Sequence, residues 1–292
     1  MRWRPGRGGG QVIDMRGRRG GGLGRGVGIG GGGLGLVGVI VYLLFSALGG
    51  GGGVSLDPGI SPFPAMPGPE GRAIPAEQDP DRKQVEFVKF VVDDVQDSWA
   101  RLFAEAGQRY QPTKLVLFTQ GVRSGCGTAS SATGPFYCPL DGRIYLDLGF
   151  FRELSSRFEA PGDFAQAYVI AHEFGHHVQN LLGINEDVRR GQQQNPDEAN
   201  ELSVRLELQA DCFAGVWGHS AYRENQLEAG DLEEGLAAAA GVGDDRIQGQ
   251  STGRIDRESF THGSSEQRQR WFMRGFESGD VNSCDTFKAD DV

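Results

Sequence analysis

The feature that most constrains this chain is the pattern H-E-x-x-H within AHEFGHHVQN, residues 171–180. His172 and His176 can reach one metal ion only if the segment is helical, because residues four apart share one face of an α-helix. Glu173 is displaced by one position, so its carboxylate can lie beside the metal and take a proton from an activated water. His177 lies about 100° further round the helix and points elsewhere. The alternative is a solvated, histidine-rich helix face.

A hydrolytic zinc site needs a third protein ligand and an open position. In metzincins the third ligand is a histidine six residues after the second, with a glycine at the third residue. Leu182 and Gln179 occupy those places here, which excludes that class. The segment ELQAD instead offers Glu207 and Asp211 on one face of another predicted helix with apolar surroundings, where an acid needs a partner. Glu207 is the predicted ligand and Asp211 the predicted acceptor of an imidazole N–H, and the two roles are exchangeable. The alternative is that both acids belong to an ordinary exposed acidic stripe.

This arrangement predicts hydrolysis at a single zinc ion, with Glu173 as general base. The oxyanion of the tetrahedral intermediate then needs a further electrophile, for which Tyr, His and Arg side chains are suited. The candidates are His219, Tyr222 and His262, and the sequence does not choose between them. Each of the three can equally be an ordinary polar residue.

Hydrophobic periodicity predicts an α+β domain that begins near Lys83. Helical spacing of apolar residues starts there, and two strands, 114–119 and 143–148, follow and are predicted to pair antiparallel. The second strand is either a core strand or an edge along which an extended peptide docks. Several helices come next, among them the H-E-x-x-H helix and a later one with Ser264 as its cap. Strands followed by helices are typical of the α+β class.

The four cysteines predict two disulfides, because an even number in an exported chain is typical of such bonds. Three pairings are possible. Cys126–Cys138 and Cys212–Cys284 are favoured, since the first closes a local loop and the second ties the C-terminal tail to the core. The alternatives are free thiols or a zinc site. No two cysteines show the C-x₂₋₄-C spacing of such a site.

Charge is unevenly distributed along the chain. Seven arginines stand against one acid in the first 25 residues, a net charge of +6, so the formal total of −10 leaves −16 on the remainder. The acidic remainder would repel phosphates, which argues against nucleic-acid binding.

Residues 27–48 carry no charge and are mostly apolar. As a helix they would span about 33 Å, enough to cross a bilayer. A cleaved signal peptide is the alternative, but no clear small-x-small cleavage site follows. Arginines before the span predict a cytoplasmic N-terminus and a domain outside, either periplasmic or at the cell surface. The predicted division is a basic cytoplasmic N-terminus over 1–26, a transmembrane anchor in the lipid bilayer over 27–48, a Gly/Pro-rich linker over 49–82, and the metallopeptidase domain over 83–292.

Several blocks together resemble the bacterial family of "putative neutral zinc metallopeptidases": MRWR, GPFYCP, IYLDLGFF, PGDFAQAYVIAHEFGHHVQNLLGI, ELQADCFAGVW, DDRIQGQ and THGSSEQRQRW. The resemblance covers nearly the whole chain apart from the linker. It implies a zincin-like fold, one zinc per chain and a membrane-anchored peptidase. Membrane zinc peptidases with a similar E-x-x-A-D motif make Glu207 the preferred third ligand.

The function expected is therefore that of a membrane-anchored zinc peptidase acting on peptides or proteins. One alternative is a non-catalytic envelope protein that keeps zinc for structure and binds a partner. Glu173 favours the enzyme, because a purely structural site has no use for a base beside its ligands. A zinc hydrolase acting on a non-peptide amide is a third hypothesis that the sequence does not separate from the first.

Overall fold

The computed structural model describes residues 1–5, 10–17, 74–75 and 77–292. The predicted transmembrane anchor, residues 27–48, lies outside the described residues, as does most of the predicted linker. Within the described part of the chain, no helix combines the length and the apolar character that a membrane crossing requires.

The described residues form a mixed α+β structure in which helices dominate, and this confirms the predicted class. The larger helices follow the sheet in the chain and pack around one core. In chain order the elements are β1 Val12–Asp14, α1 Arg82–Glu105, β2 Lys114–Phe118, β3 Gly121–Ser124, β4 Gly127–Ser130, β5 Phe136–Cys138, β6 Arg143–Asp147, α2 Gly149–Ser156, α3 Asp163–Leu181, α4 Ile184–Gln194, α5 Ala199–Arg223, α6 Asp231–Gly241, α7 Asp244–Thr252 and α8 Ser265–Ser278.

The larger sheet has four strands in the order β1-β2-β6-β5. β1 pairs with β2 and β2 with β6 in parallel, whereas β5 pairs with β6 antiparallel. The predicted antiparallel pairing of 114–119 with 143–148, and with it a purely antiparallel sheet, is therefore wrong. Residues 119–142 include the β3–β4 ribbon and β5, and this connection is long enough for a parallel crossover. β6 has partners on both sides and is a core strand, so β5 forms that edge of the described sheet.

Helix α3, which carries H-E-x-x-H, lies at the centre of the core. It contacts α1, α5 and α6. Side chains on several sides of the helix are buried, as expected for a helix surrounded by other elements. The buried apolar residues include Phe164, Ala167, Tyr168, Ile170, Phe174 and Val178.

α3 and α5 approach each other closely at Gly175. A Cβ at this position would lie 2.9 Å from the backbone oxygen of Ala210 and 3.0 Å from its Cα. Only glycine fits this spacing, since the opposing atoms are backbone. Gly175 lies inside H-E-x-x-H and Ala210 inside ELQAD, so this contact places the two motifs face to face.

Both predicted disulfides are confirmed. Cys126–Cys138 joins the turn between β3 and β4 to β5, and its cysteines are 12 positions apart in the sequence. Cys212–Cys284 joins α5 to the C-terminal segment, and its cysteines are 72 positions apart.

The described N-terminal residues pack on the domain. Met1 is buried, the ring of Trp3 lies 5.3 Å from that of Phe87, and β1 extends the sheet next to β2. Arg16 is buried as well. The sequence-based division made residues 1–26 a unit separate from the domain. The described residues of that range share the core and the sheet of the domain.

Candidate metal centre

The structure brings the three predicted metal ligands together between α3 and α5. His172 Nε2 lies 3.2 Å from Glu207 Oε2, and His176 Nε2 lies 3.4 Å from Glu207 Oε1. One ligand atom from each of the three residues lies within 4.8 Å of the others. Helical geometry supplies the histidine pair, and the close contact of the helices supplies the carboxylate.

These three residues fit a zinc ion. Zinc bonds of about 2.0–2.1 Å in tetrahedral geometry place neighbouring ligand atoms about 3.3 Å apart. The two nitrogen-to-oxygen separations, 3.2 and 3.4 Å, match that spacing. In the described part of the chain no fourth Asp, Glu, His or Cys joins the cluster. Three protein ligands with an open position are typical of catalytic rather than structural zinc sites.

Asp211 fixes the orientation of His172. Its Oδ1 lies 2.8 Å from His172 Nδ1, and Tyr168 donates its hydroxyl hydrogen to the same oxygen at 2.5 Å. The Arg268 guanidinium donates to both carboxylate oxygens, at 2.8 and 2.9 Å. Burial alone would raise the pKa of Asp211, but Arg268 and His172 lower it below its usual value. The ionised carboxylate holds a proton on Nδ1 and leaves Nε2 free to bind a metal.

Gln179 fixes the orientation of His176. Its Oε1 lies 2.8 Å from His176 Nδ1, while its Nε2 donates to the backbone oxygen of Leu206 at 2.7 Å. That second bond sets which end of the amide faces the imidazole, so His176 also keeps its proton on Nδ1. Gln179 is fully buried. Both histidines therefore direct their Nε2 atoms toward Glu207.

Glu173 is buried beside the two histidines. Burial raises the pKa of its carboxyl, and the charges of His176 and His172 oppose that shift only in part. A carboxyl with a raised pKa is a stronger base than an exposed one, as a general base near neutral pH requires.

Of the three candidate electrophiles, only His262 interacts electrostatically with a predicted metal ligand, Glu207. Burial lowers its pKa, whereas the charges of Glu207 and Asp244 raise it, and the net shift is upward. His262 is thus within electrostatic reach of the carboxylate ligand. Asp244, the first residue of α7, accepts the His262 backbone N–H at 2.7 Å and lies 3.3 Å from Nδ1, which holds the imidazole in place.

The other two candidates lie elsewhere. His219 and Tyr222 follow Glu207 on α5 by 12 and 15 positions, which corresponds to about 18 and 22 Å along a helix. His219 Nδ1 donates to the backbone oxygen of Phe276 at 2.8 Å, and Tyr222 is 60% exposed. The structure therefore does not bring His219 or Tyr222 together with the metal ligands.

His177 is not a ligand, as its position on the helix predicts. Its Nε2 donates to the backbone oxygen of Gln111 at 2.7 Å, and its Nδ1 lies 3.2 Å from the Tyr137 hydroxyl. Burial lowers the pKa of His177, which favours the neutral ring. This histidine connects α3 to β5.

Sequence reasoning missed Tyr168, Gln179, Arg268 and Asp244. Gln179 has a recognisable signal, since it lies three positions after His176 on the same helix face. Arg268 has none, because it is one of several charged residues in a predicted helix and its burial depends on the packing of α8 against α5.

Two histidines and a buried glutamate on one helix, with a carboxylate ligand from a second, define a metal-dependent hydrolase type of site. The chain belongs to the family described as "Putative neutral zinc metallopeptidase", which matches residues 1–287. It is 48% identical over 251 residues to the uncharacterized protein YpfJ of Escherichia coli strain K12, an alignment that covers 86% of each chain. It is also 49% identical over 194 residues to the uncharacterized protein Mb2605 of Mycobacterium bovis, covering 63% of this chain and 65% of that one. No solved structure matches the chain.

Proposed function

We propose that this chain is a zinc peptidase that hydrolyses peptide bonds, with one zinc ion held by His172, His176 and Glu207. The observation that carries the proposal is the three-ligand cluster with a buried glutamate beside it. When bound there, zinc supplies a Lewis acid that polarises a carbonyl and lowers the pKa of water.

Glu173 takes the proton of the attacking water and passes it to the leaving amine. His262, held by Asp244, donates a hydrogen bond to the oxygen on which negative charge develops. Asp211 and Gln179 keep the two ligating imidazoles in the required tautomer.

Attachment to a lipid bilayer through residues 27–48 is part of the proposal and rests on the sequence. The two disulfides support a location of the domain outside the cytoplasm, because such bonds persist in oxidising compartments.

The alternative of a non-catalytic zinc protein has less support. A structural zinc site usually closes with a fourth protein ligand and has no use for a buried base. Cleavage of a non-peptide amide would use the same residues, so only substrate trials separate it from peptidase activity.

The test compares the detergent-solubilised full chain with its Glu173→Gln variant, and Glu186→Gln serves as a control on the surface of α4. Zinc content is measured by elemental analysis and cleavage with a peptide library. We expect zinc in all three proteins and a loss of cleavage of at least about 100-fold in Glu173→Gln alone. Equal cleavage by that variant would refute the role of Glu173. Zinc without cleavage of any peptide by the parent would favour the non-catalytic protein.

A further inference from the structure

Four acidic side chains surround the amino group of Met1. This ammonium donates to Asp163 Oδ1 at 2.6 Å and to Asp231 at 3.2 Å, and it lies 3.6 Å from Glu228. Asp163, Asp231 and Glu234 place one oxygen each within 4.8 Å of the others. Carboxylates this close repel one another unless a cation lies between them. The N-terminal segment, described at residues 1–5 and 10–17, supplies that cation at the first turn of α3, the helix that carries the two histidine ligands.

The next residues of the N-terminal segment bind α1 and the loop after α5. The Trp3 ring lies 5.3 Å from that of Phe87 and 6.3 Å from that of Phe90. The Arg2 backbone N–H donates to the backbone oxygen of Gln226 at 2.6 Å. An aromatic anchor beside a backbone hydrogen bond is a specific contact rather than a purely electrostatic one.

The end of the N-terminal segment is tied to the domain at a third place. β1 pairs with β2 in parallel, with Val12 opposite Leu115. Arg16 is buried and donates to Asp14 at 2.7 Å and to Asp79 at 2.6 Å. Arg16 and Asp79 stand on opposite flanks of the uncharged stretch 27–48, so the two flanks of that stretch are in direct contact.

This contact is incompatible with a single membrane crossing between the flanks. A crossing would put Arg16 and Asp79 on opposite faces of a hydrocarbon core about 30 Å thick. Two crossings would return the chain to the same side, but they need about 40 apolar residues. The uncharged stretch has 22.

We infer that the N-terminal segment is a built-in part of the peptidase domain, and that both lie on the same side of the membrane. This replaces the expected topology, in which a cytoplasmic N-terminus faced an external domain. Charge supports the docking, since residues 1–17 have a net charge of +3 and the remainder of the chain has a net charge of −13.

The topology is tested by labelling introduced cysteines in sealed membrane preparations with a membrane-impermeant maleimide. All four native cysteines are in disulfides, so Arg4→Cys and Glu277→Cys, both at exposed positions, each supply the one free thiol. We expect both sites to be labelled, or both protected until detergent is added. Labelling of one site with protection of the other in the same preparation would overturn the inference.

Docking itself is tested by the thermal unfolding of the full chain in detergent. Trp3→Ala is expected to lower Tm by about 4 °C or more, whereas Arg4→Ala, at an exposed position of the same segment, leaves it unchanged. Equal Tm values for the two variants would contradict docking. Neither experiment uses zinc or peptide cleavage, so failure here is distinguishable from failure of the proposed peptidase function.

Discussion

Arg268 and Asp211 form a buried two-point ion pair directly behind the first metal ligand. Arg268 Nε lies 2.8 Å from Asp211 Oδ2, and Nη2 lies 2.9 Å from Oδ1. Both side chains are almost fully buried, at 4% and 0% exposure. Such a pair depends on complete hydrogen bonding, and removal of one partner leaves a buried charge uncompensated. The pair therefore connects α8 to the orientation of His172.

Substitution of Arg268 should weaken zinc binding although this residue is not a ligand. In Arg268→Gln the Asp211 carboxylate loses its cation and no longer holds the His172 tautomer firmly. We expect zinc affinity to fall about 10- to 100-fold, measured by competition with a chromophoric chelator. Arg270→Gln, at an exposed position of the same helix, is the matched control. Equal affinity in the two variants would show that Asp211 needs no support.

Gly175 should tolerate no side chain. In Gly175→Ala the added Cβ meets the Ala210 backbone, so α3 and α5 must move apart. We expect a loss of about 1–3 kcal/mol in the free energy of unfolding, together with weaker zinc binding, because Glu207 moves away from the histidines. Gly249→Ala is the control, since a Cβ there has nothing within 4 Å. Chemical denaturation and chelator competition measure the two effects, and retained zinc affinity in Gly175→Ala would contradict the proposed spacing.

His262 should act on the chemical step rather than on zinc binding. In His262→Ala we expect kcat to fall about 100- to 1,000-fold, with zinc content and KM little changed, because the lost hydrogen bond matters most where charge develops. Steady-state kinetics on a cleaved peptide measure this separation. His219→Gln tests a histidine of similar burial far from the ligands and should retain parental kinetics. A rise in KM alone for His262→Ala would assign it to substrate binding.

Local patterns predicted the local structure well. The spacing of H-E-x-x-H places its two histidines on one helix face, and Ser264 caps α8 as predicted, with a reciprocal bond to Gln267 that the structure adds. Both disulfides also follow from spacing and compartment. The helix features depend on interactions within a few residues, and four cysteines allow only three pairings. A single sequence is therefore enough to predict them.

Contacts between residues far apart in the sequence were harder to predict from the sequence. The direction of β6 relative to β2 depends on the path of residues 119–142, which hydrophobic periodicity does not encode. The burial of Arg268 depends on how α8 packs. A basic segment before an apolar stretch predicts a cytoplasmic flank, because the pattern is local. The contact of Trp3 with Phe87 and Phe90 could not be predicted, because the two phenylalanines are more than 80 positions away in the sequence.

The docking of the N-terminal segment should weaken at alkaline pH. Burial alone would lower the pKa of the Met1 ammonium, but Asp163 and Asp231 raise it above its usual value of 8.0. Glu228 and Glu234 face the same group and add negative charge. A pKa raised by folding contributes stability that is fully present below about pH 8 and is lost as pH rises through the folded-state value.

Between pH 8 and pH 10 we therefore expect the Tm of the full chain to fall more steeply than that of the same chain acetylated at its amino group. Acetylation removes the charge at all pH values, and every other titrating group is shared by the two proteins. Differential scanning calorimetry across this range measures the difference. Parallel slopes would mean that the ammonium contributes nothing to docking, and the acidic cluster would then have to be balanced in another way.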